Sequence, residues 1–227
     1  MRFLGVDLAW GFRRPSWVCT LVAEGKEFQW QGFSFFVTLE EWEEYLLSLP
    51  PPLIVAFDAP LRVSVTYGIR RAEKELLPWL RRRGYGILPI NREIALRFYP
   101  TLLPFWESVE RLLTVGLDFS LPRRYAVEVF PPLSVLGFFG KEGLHLYKEG
   151  EFRVLGEYFG SPLSPFIIQS LSECLRAGLE GRGYKDRFDA FLCACTALFA
   201  YTRGREALRI FGDEGEGIIL PLWSREL

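Results

Sequence analysis

Leu53-Ile54-Val55-Ala56-Phe57 is an unbroken apolar run, bounded by Pro50-Pro51-Pro52 before it and Asp58-Ala59-Pro60 after it. A strand with one wet face alternates apolar and polar residues; a strand covered on both faces does not. The run therefore predicts a central strand with helices on both sides of its sheet, and so an α/β chain. Phe3 to Ala9, Trp17 to Ala23 and Phe28 to Phe33 read as three earlier strands, the last two joined tightly at Gly25-Lys26. Thr38-Leu39-Glu40-Glu41 has the spacing of a capping box, and Leu39, Trp42, Tyr45 and Leu46 form the apolar stripe of a helix.

Strand, strand, strand, helix, strand is the opening order of a ribonuclease-H-like fold: a mixed five-stranded sheet flanked by helices, in which the first and fourth strands are parallel neighbours. The expectation is a single domain over 1–227 with a helical insertion at about 62–123. Helices are expected near Arg70 to Arg82, Arg92 to Phe98 and Leu103 to Val115, cut by Pro89 and Pro100. Tyr125 to Val129 reads as the fifth strand, carrying Glu128 and ended by Pro131-Pro132. Ser164 to Glu180 reads as a helix, Lys185 to Tyr201 as an apolar helix, and Gly217 to Leu220 as a short edge strand.

The acids are distributed unevenly. Of 28 acidic residues 22 are Glu and only 6 are Asp, and four of the six, Asp7, Asp58, Asp186 and Asp189, lie beside apolar segments. A short side chain freezes fewer rotors when it is fixed as a ligand. Asp7 falls toward the end of the first strand and Asp58 just after the fourth, where adjacent parallel strands would set them side by side. Asp186 and Asp189 stand three apart, on one face of the first turn of a helix; helix-terminus electrostatics alone would favour acids there. Ala190, Ala194, Ala197 and Ala200 follow at helical spacing and would let that helix lie close on the sheet. Clustered carboxylates repel and raise one another's pKa unless a cation compensates. Oxygen ligands alone point to Mg²⁺ or Mn²⁺, one or two ions, rather than zinc.

Seven short motifs carry a resemblance over nearly the whole chain: Gly5-Val6-Asp7-Leu8-Ala9-Trp10, Phe57-Asp58-Ala59-Pro60-Leu61, Gly68-Ile69-Arg70-Arg71-Ala72-Glu73, Glu128-Val129-Phe130-Pro131, Tyr147-Lys148, Lys185-Asp186-Arg187-Phe188-Asp189-Ala190, and Gly212-Asp213 followed by Gly217. In this order they resemble domain-of-unknown-function family 429, described as predicted nucleases with a ribonuclease-H fold. The Asp-x-x-Asp-Ala opening of the last helix is similar to that of RuvC-type Holliday-junction resolvases, which usually have Glu at the fourth-strand position where this chain has Asp58. The resemblance implies that Asp7, Asp58, Asp186 and Asp189 are metal ligands, with Glu128 a further ligand or a general base. Arg70 is either a phosphate-binding residue or the partner of Glu73 one helical turn on. Lys148 is either an active-site cation or an exposed loop lysine.

The reading that follows is a metal-dependent nuclease or phosphodiesterase in which activated water attacks phosphorus while Arg70 or Lys148 steadies charge. Two others compete. A nucleotide-dependent phosphotransferase needs glycine-rich phosphate loops where this chain has Leu8-Ala9-Trp10 and Ala59-Pro60. A non-catalytic binding module would keep the acids structurally and present aromatic residues such as Trp30 and Trp106 to a partner. Nucleic acid, structured or single-stranded, is the expected partner; a net charge of −1 supplies no general attraction to it. Arg13-Arg14, Arg70-Arg71, Arg81-Arg82-Arg83 and Arg123-Arg124 are either solvated ends or a phosphate-steering rim. Cys19, Cys174, Cys193 and Cys195 lack metal-ligand spacing and read as buried free thiols. With no leader and no run of membrane-spanning length, a cytoplasmic protein is expected. The oligomeric state is open, a homodimer included. The single histidine, His145, is placed in a loop, and Gly137-Phe138-Phe139-Gly140-Lys141 has the wrong spacing for a phosphate loop.

Overall fold

In the computed structural model the run Leu53–Phe57 is strand β4, and all five residues are buried. The structure describes residues 1–10, 12–24, 27–158, 183–213 and 215–222. The expected Gly25-Lys26 turn and the Ser164 to Glu180 helix lie outside them, as does Cys174. The strands are β1 (Arg2–Asp7), β2 (Ser16–Glu24), β3 (Glu27–Phe36), β4, β5 (Thr114–Val115), β6 (Arg124–Val129), β7 (Leu208–Phe211) and β8 (Ile218–Pro221). The helices are α1 (Leu39–Ser48), α2 (Arg71–Arg81), α3 (Arg92–Phe98), α4 (Leu102–Leu112), α5 (Pro131–Glu149), α6 (Phe152–Tyr158) and α7 (Tyr184–Arg203).

The sheet is mixed and runs β3-β2-β1-β4-β6-β8-β7, with β5 beside β6. Among the described residues eight strands replace the five expected, and the strand expected at an edge, β8, lies between β6 and β7. β7 is too short and too interrupted by Arg209 to stand out, and it exists because it pairs antiparallel with β8. β5 ends the stretch expected as helix up to Val115: the chain leaves α4 at Leu113 in extended backbone and joins β6 in parallel. β1 and β4 are parallel neighbours, as expected, with Val6 opposite Phe57. β4 and β6 are also parallel, and Phe57 lies opposite Glu128.

Pro131-Pro132 both closes β6 and opens α5, since proline lacks only an N–H that a first helical turn leaves unused. His145 and Lys148 are therefore helical, not in a loop. α5 kinks at Gly140, whose φ of 70° suits glycine. At α1, Thr38 Oγ1 accepts from the Glu41 amide and the Glu41 carboxylate accepts from Val37 N, so the capping pattern is made, shifted by one residue.

Strand periodicity divides the apolar interior into two layers. Phe3, Ile54, Tyr125 and Val127 face α7 and α5; Leu4, Val6, Leu53, Val55 and Phe57 face Trp42 of α1 and Phe105 of α4. Trp106 is buried and its indole N–H donates to Pro60 O at 2.7 Å, which removes it from the surface. Trp30 is part-buried against the first layer. Cys19, Cys193 and Cys195 are buried free thiols. No helix among the described residues is long and apolar enough to cross a membrane.

Candidate metal centre

Asp7 is the last residue of β1, and Asp58 follows the last residue of β4 while its amide still donates to Val6 O at 2.8 Å. Alternation puts Asp7 on the same face as Phe3 and Gly5, and Asp58 on that of Ile54 and Ala56, so both acids leave the sheet on the α7 side. α7 lies directly on that face. A Cβ at Gly5 would stand 1.9 Å from Ala190 O and 2.1 Å from Ala194 N, so only glycine on β1 and alanines on α7 permit the contact. Asp189, next to Ala190, is thereby lowered onto the strand ends. One carboxylate oxygen each from Asp7, Asp58 and Asp189 lies within 4.8 Å of the others.

Burial raises the Asp7 pKa to about 8, with help from the neighbouring Asp189 and Asp186 carboxylates. Asp58 is pushed well above the usual carboxylate range by burial, then by Asp7 and Asp189, although part of its surface opens on a cleft. Asp189 is raised by burial, a shift opposed by two donors: Lys185 Nζ at 2.5 Å from Oδ2 and the Tyr147 hydroxyl at 2.7 Å from Oδ1. Three acids held close and dry resist being charged together. The donor set is all oxygen, with neither histidine nor thiolate, and so fits a hard divalent cation.

Asp186 is not one of the three. It lies in the first turn of α7, whereas Asp189 lies in the second, and Arg14 Nη1 engages both its oxygens at 3.0 and 3.1 Å. Glu128 lines the cleft but points to the opposite face of the sheet, level with Phe57. There Arg70 grips it, Nη2 to Oε1 at 2.7 Å and Nη1 to Oε2 at 3.0 Å, and Leu61 N donates to Oε2 at 3.1 Å. Arg70 Nε also donates to Glu73 Oε1 at 3.0 Å, and Ile90 N to the same oxygen at 3.1 Å. Arg70 is thus buried between two carboxylates, and its pairing with Glu73 is made. Lys148 is elsewhere: on the last turn of α5, it donates to Arg83 O and Gly84 O.

Sequence reasoning did not single out Lys185, Tyr147 or Arg14 as the partners of the acids. For Lys185 a signal existed, since Lys185 and Asp189 are four apart and share one helical face.

The centre opens into a cleft of about 500 Å³ lined by Asp7 and Asp58, by Arg13 and Arg14, and by apolar residues including Trp10 and Tyr99. Fold and site define an α/β protein with a buried three-carboxylate centre at the carboxyl ends of its parallel strands, the edge at which such sheets bind ligands. A family model matches residues 5–216, and the chain belongs to that family, described as a protein of unknown function (DUF429). No curated protein and no solved structure matches it.

Proposed function

We propose that the protein is a divalent-metal-dependent phosphodiester hydrolase, a nuclease, built on a ribonuclease-H-like frame. The observation that carries this is the convergence of Asp7, Asp58 and Asp189 within 4.8 Å, from two adjacent parallel strands and one late helix. Supporting the frame are the order β1-β2-β3-α1-β4 and the position of α7 across β1 and β4. Mg²⁺ or Mn²⁺ suits the donors. Such an ion supplies Lewis-acid stabilisation of charge developing on the phosphoryl oxygens.

The chain's own residues do the rest. Asp7, Asp58 and Asp189 hold the ion; Tyr147 fixes one oxygen of Asp189. Arg14, which lines the cleft, holds Asp186. In the reaction one bond forms from water oxygen to phosphorus as the bond to the leaving oxygen breaks, and the proton given up by water balances the one the leaving oxygen gains. Among the described residues Arg70 and Arg14 hold Glu128 and Asp186 outside the cluster, and the three acids that converge, Asp7, Asp58 and Asp189, favour one ion over two.

Calorimetric titration with Mn²⁺, followed by Mn²⁺-dependent cleavage of single-stranded, duplex and junction substrates, tests the reading. Asp7→Asn is expected to remove both binding and cleavage; cleavage that survives in this variant overturns it. A second reading, a binding module without catalysis, draws on Lys185, which already neutralises Asp189. Failure of Mg²⁺ or Mn²⁺ to raise the melting temperature would favour it.

A further inference from the structure

The walls of the cleft are chemically unlike its floor. Trp10 and Tyr99 meet edge to face at 5.3 Å between ring centroids. Trp10 is fixed from both sides, its indole N–H reaching Asp58 O at 3.4 Å and its carbonyl accepting from Thr101 Oγ1 at 2.7 Å. The aromatic wall is therefore tied to the backbone of a centre residue. Phe98 and Leu88 line the same cleft and leave 57% and 55% of their surface in water, and the Arg97 guanidinium stands 5.1 Å from the Phe98 ring centroid. Arg13, exposed beside them, adds a positive charge at the rim.

A ring wall, exposed apolar side chains and a rim arginine next to a carboxylate floor that handles phosphate on the nuclease reading form the combination that takes an unpaired nucleotide, base against aromatic carbon and phosphate toward cation. The volume agrees. About 500 Å³ accommodates a nucleotide or two, whereas a paired duplex offers no exposed base face and is far wider than the hollow. Resting on the nuclease reading, we infer that the substrate is single-stranded nucleic acid, entering with a base against Phe98 and the Trp10–Tyr99 wall.

The test uses the full chain and Ca²⁺, with a short fluorescent single strand and its blunt duplex followed by anisotropy. The single strand is expected to bind at least tenfold tighter. Phe98→Ala should weaken it roughly five- to 160-fold, the range of one lost base stack, with duplex binding and melting temperature unchanged. Arg13→Ala should lower the salt dependence by about one counterion. Equal affinity for the duplex, or an unaltered Phe98→Ala variant, overturns the inference. If the duplex is cut in Mn²⁺ as fast as the single strand, strand selection falls while the nuclease reading stands. If the single strand binds selectively and nothing is cut, the nuclease reading falls and strand selection holds.

Discussion

Gly5 on β1 and Ala194 on α7 touch backbone to backbone: a single methyl group at Gly5 would stand 2.1 Å from the Ala194 amide nitrogen. No rotamer can relieve that contact, because every atom involved is main chain or Cβ. Gly5→Ala is expected to lift α7 from the sheet and cost about 1–3 kcal/mol, the usual range for overpacking. Asp189 would move with the helix, so the Mn²⁺-induced rise in melting temperature should shrink as well. Thermal melts with and without Mn²⁺ check both; a variant as stable as the parent and equally responsive to metal would contradict the account.

Asp7 sets a pH dependence whose sign is fixed by its raised pKa, from 3.8 to about 8. Folding favours the protonated form, so the contribution of this group is fully present below about pH 4 and is lost as pH rises toward 8. Without metal, the parent should therefore lose stability over that window, and Asp7→Asn should lose less. At pH 8 the variant is expected to melt several degrees above the metal-free parent, at about 2–4 °C per kcal/mol for a chain of this size. Added Mn²⁺ should raise the parent and leave the variant in place.

Arg70 is a structural cation, and its loss would strand two buried carboxylates. Arg70→Met is expected to cost about 3–5 kcal/mol, the range for breaking one side of a buried ion pair. Arg70→Lys should recover little, because one ammonium cannot serve the forked contacts to Glu128 and Glu73 together. Urea denaturation of the two variants measures this.

Lys185 competes with any ion for Asp189. Lys185→Met should tighten Mn²⁺ binding several-fold in calorimetry while lowering the stability of the metal-free protein. Arg14→Ala is the contrast: the Arg14 side chain is 60% exposed, and the loss of its pair with Asp186 should change stability by less than about 1 kcal/mol.

Local chemistry made much of this site legible. The strands ending at Asp7 and Asp58 announce themselves by apolar runs, and the alanines after Asp189 by their helical spacing. The two acids of α7 part company through their partners: Arg14 from the loop before β2 takes Asp186, while Tyr147 from α5 and Lys185 one turn back take Asp189. α5 itself was hidden because Pro131-Pro132 signals an end to one element and equally a beginning to the next.

The sequence by itself determined that the chain builds an α/β sheet with acids at two strand ends and a small-faced helix to bring a third. Only the tertiary structure decided which carboxylates converge. A strand's side chains alternate, and which face Glu128 takes depends on its register with a neighbour fixed by the whole sheet. Opposite Phe57, Glu128 turns away from Asp7 and into the grip of Arg70; Asp58, one step beyond Phe57, turns toward it.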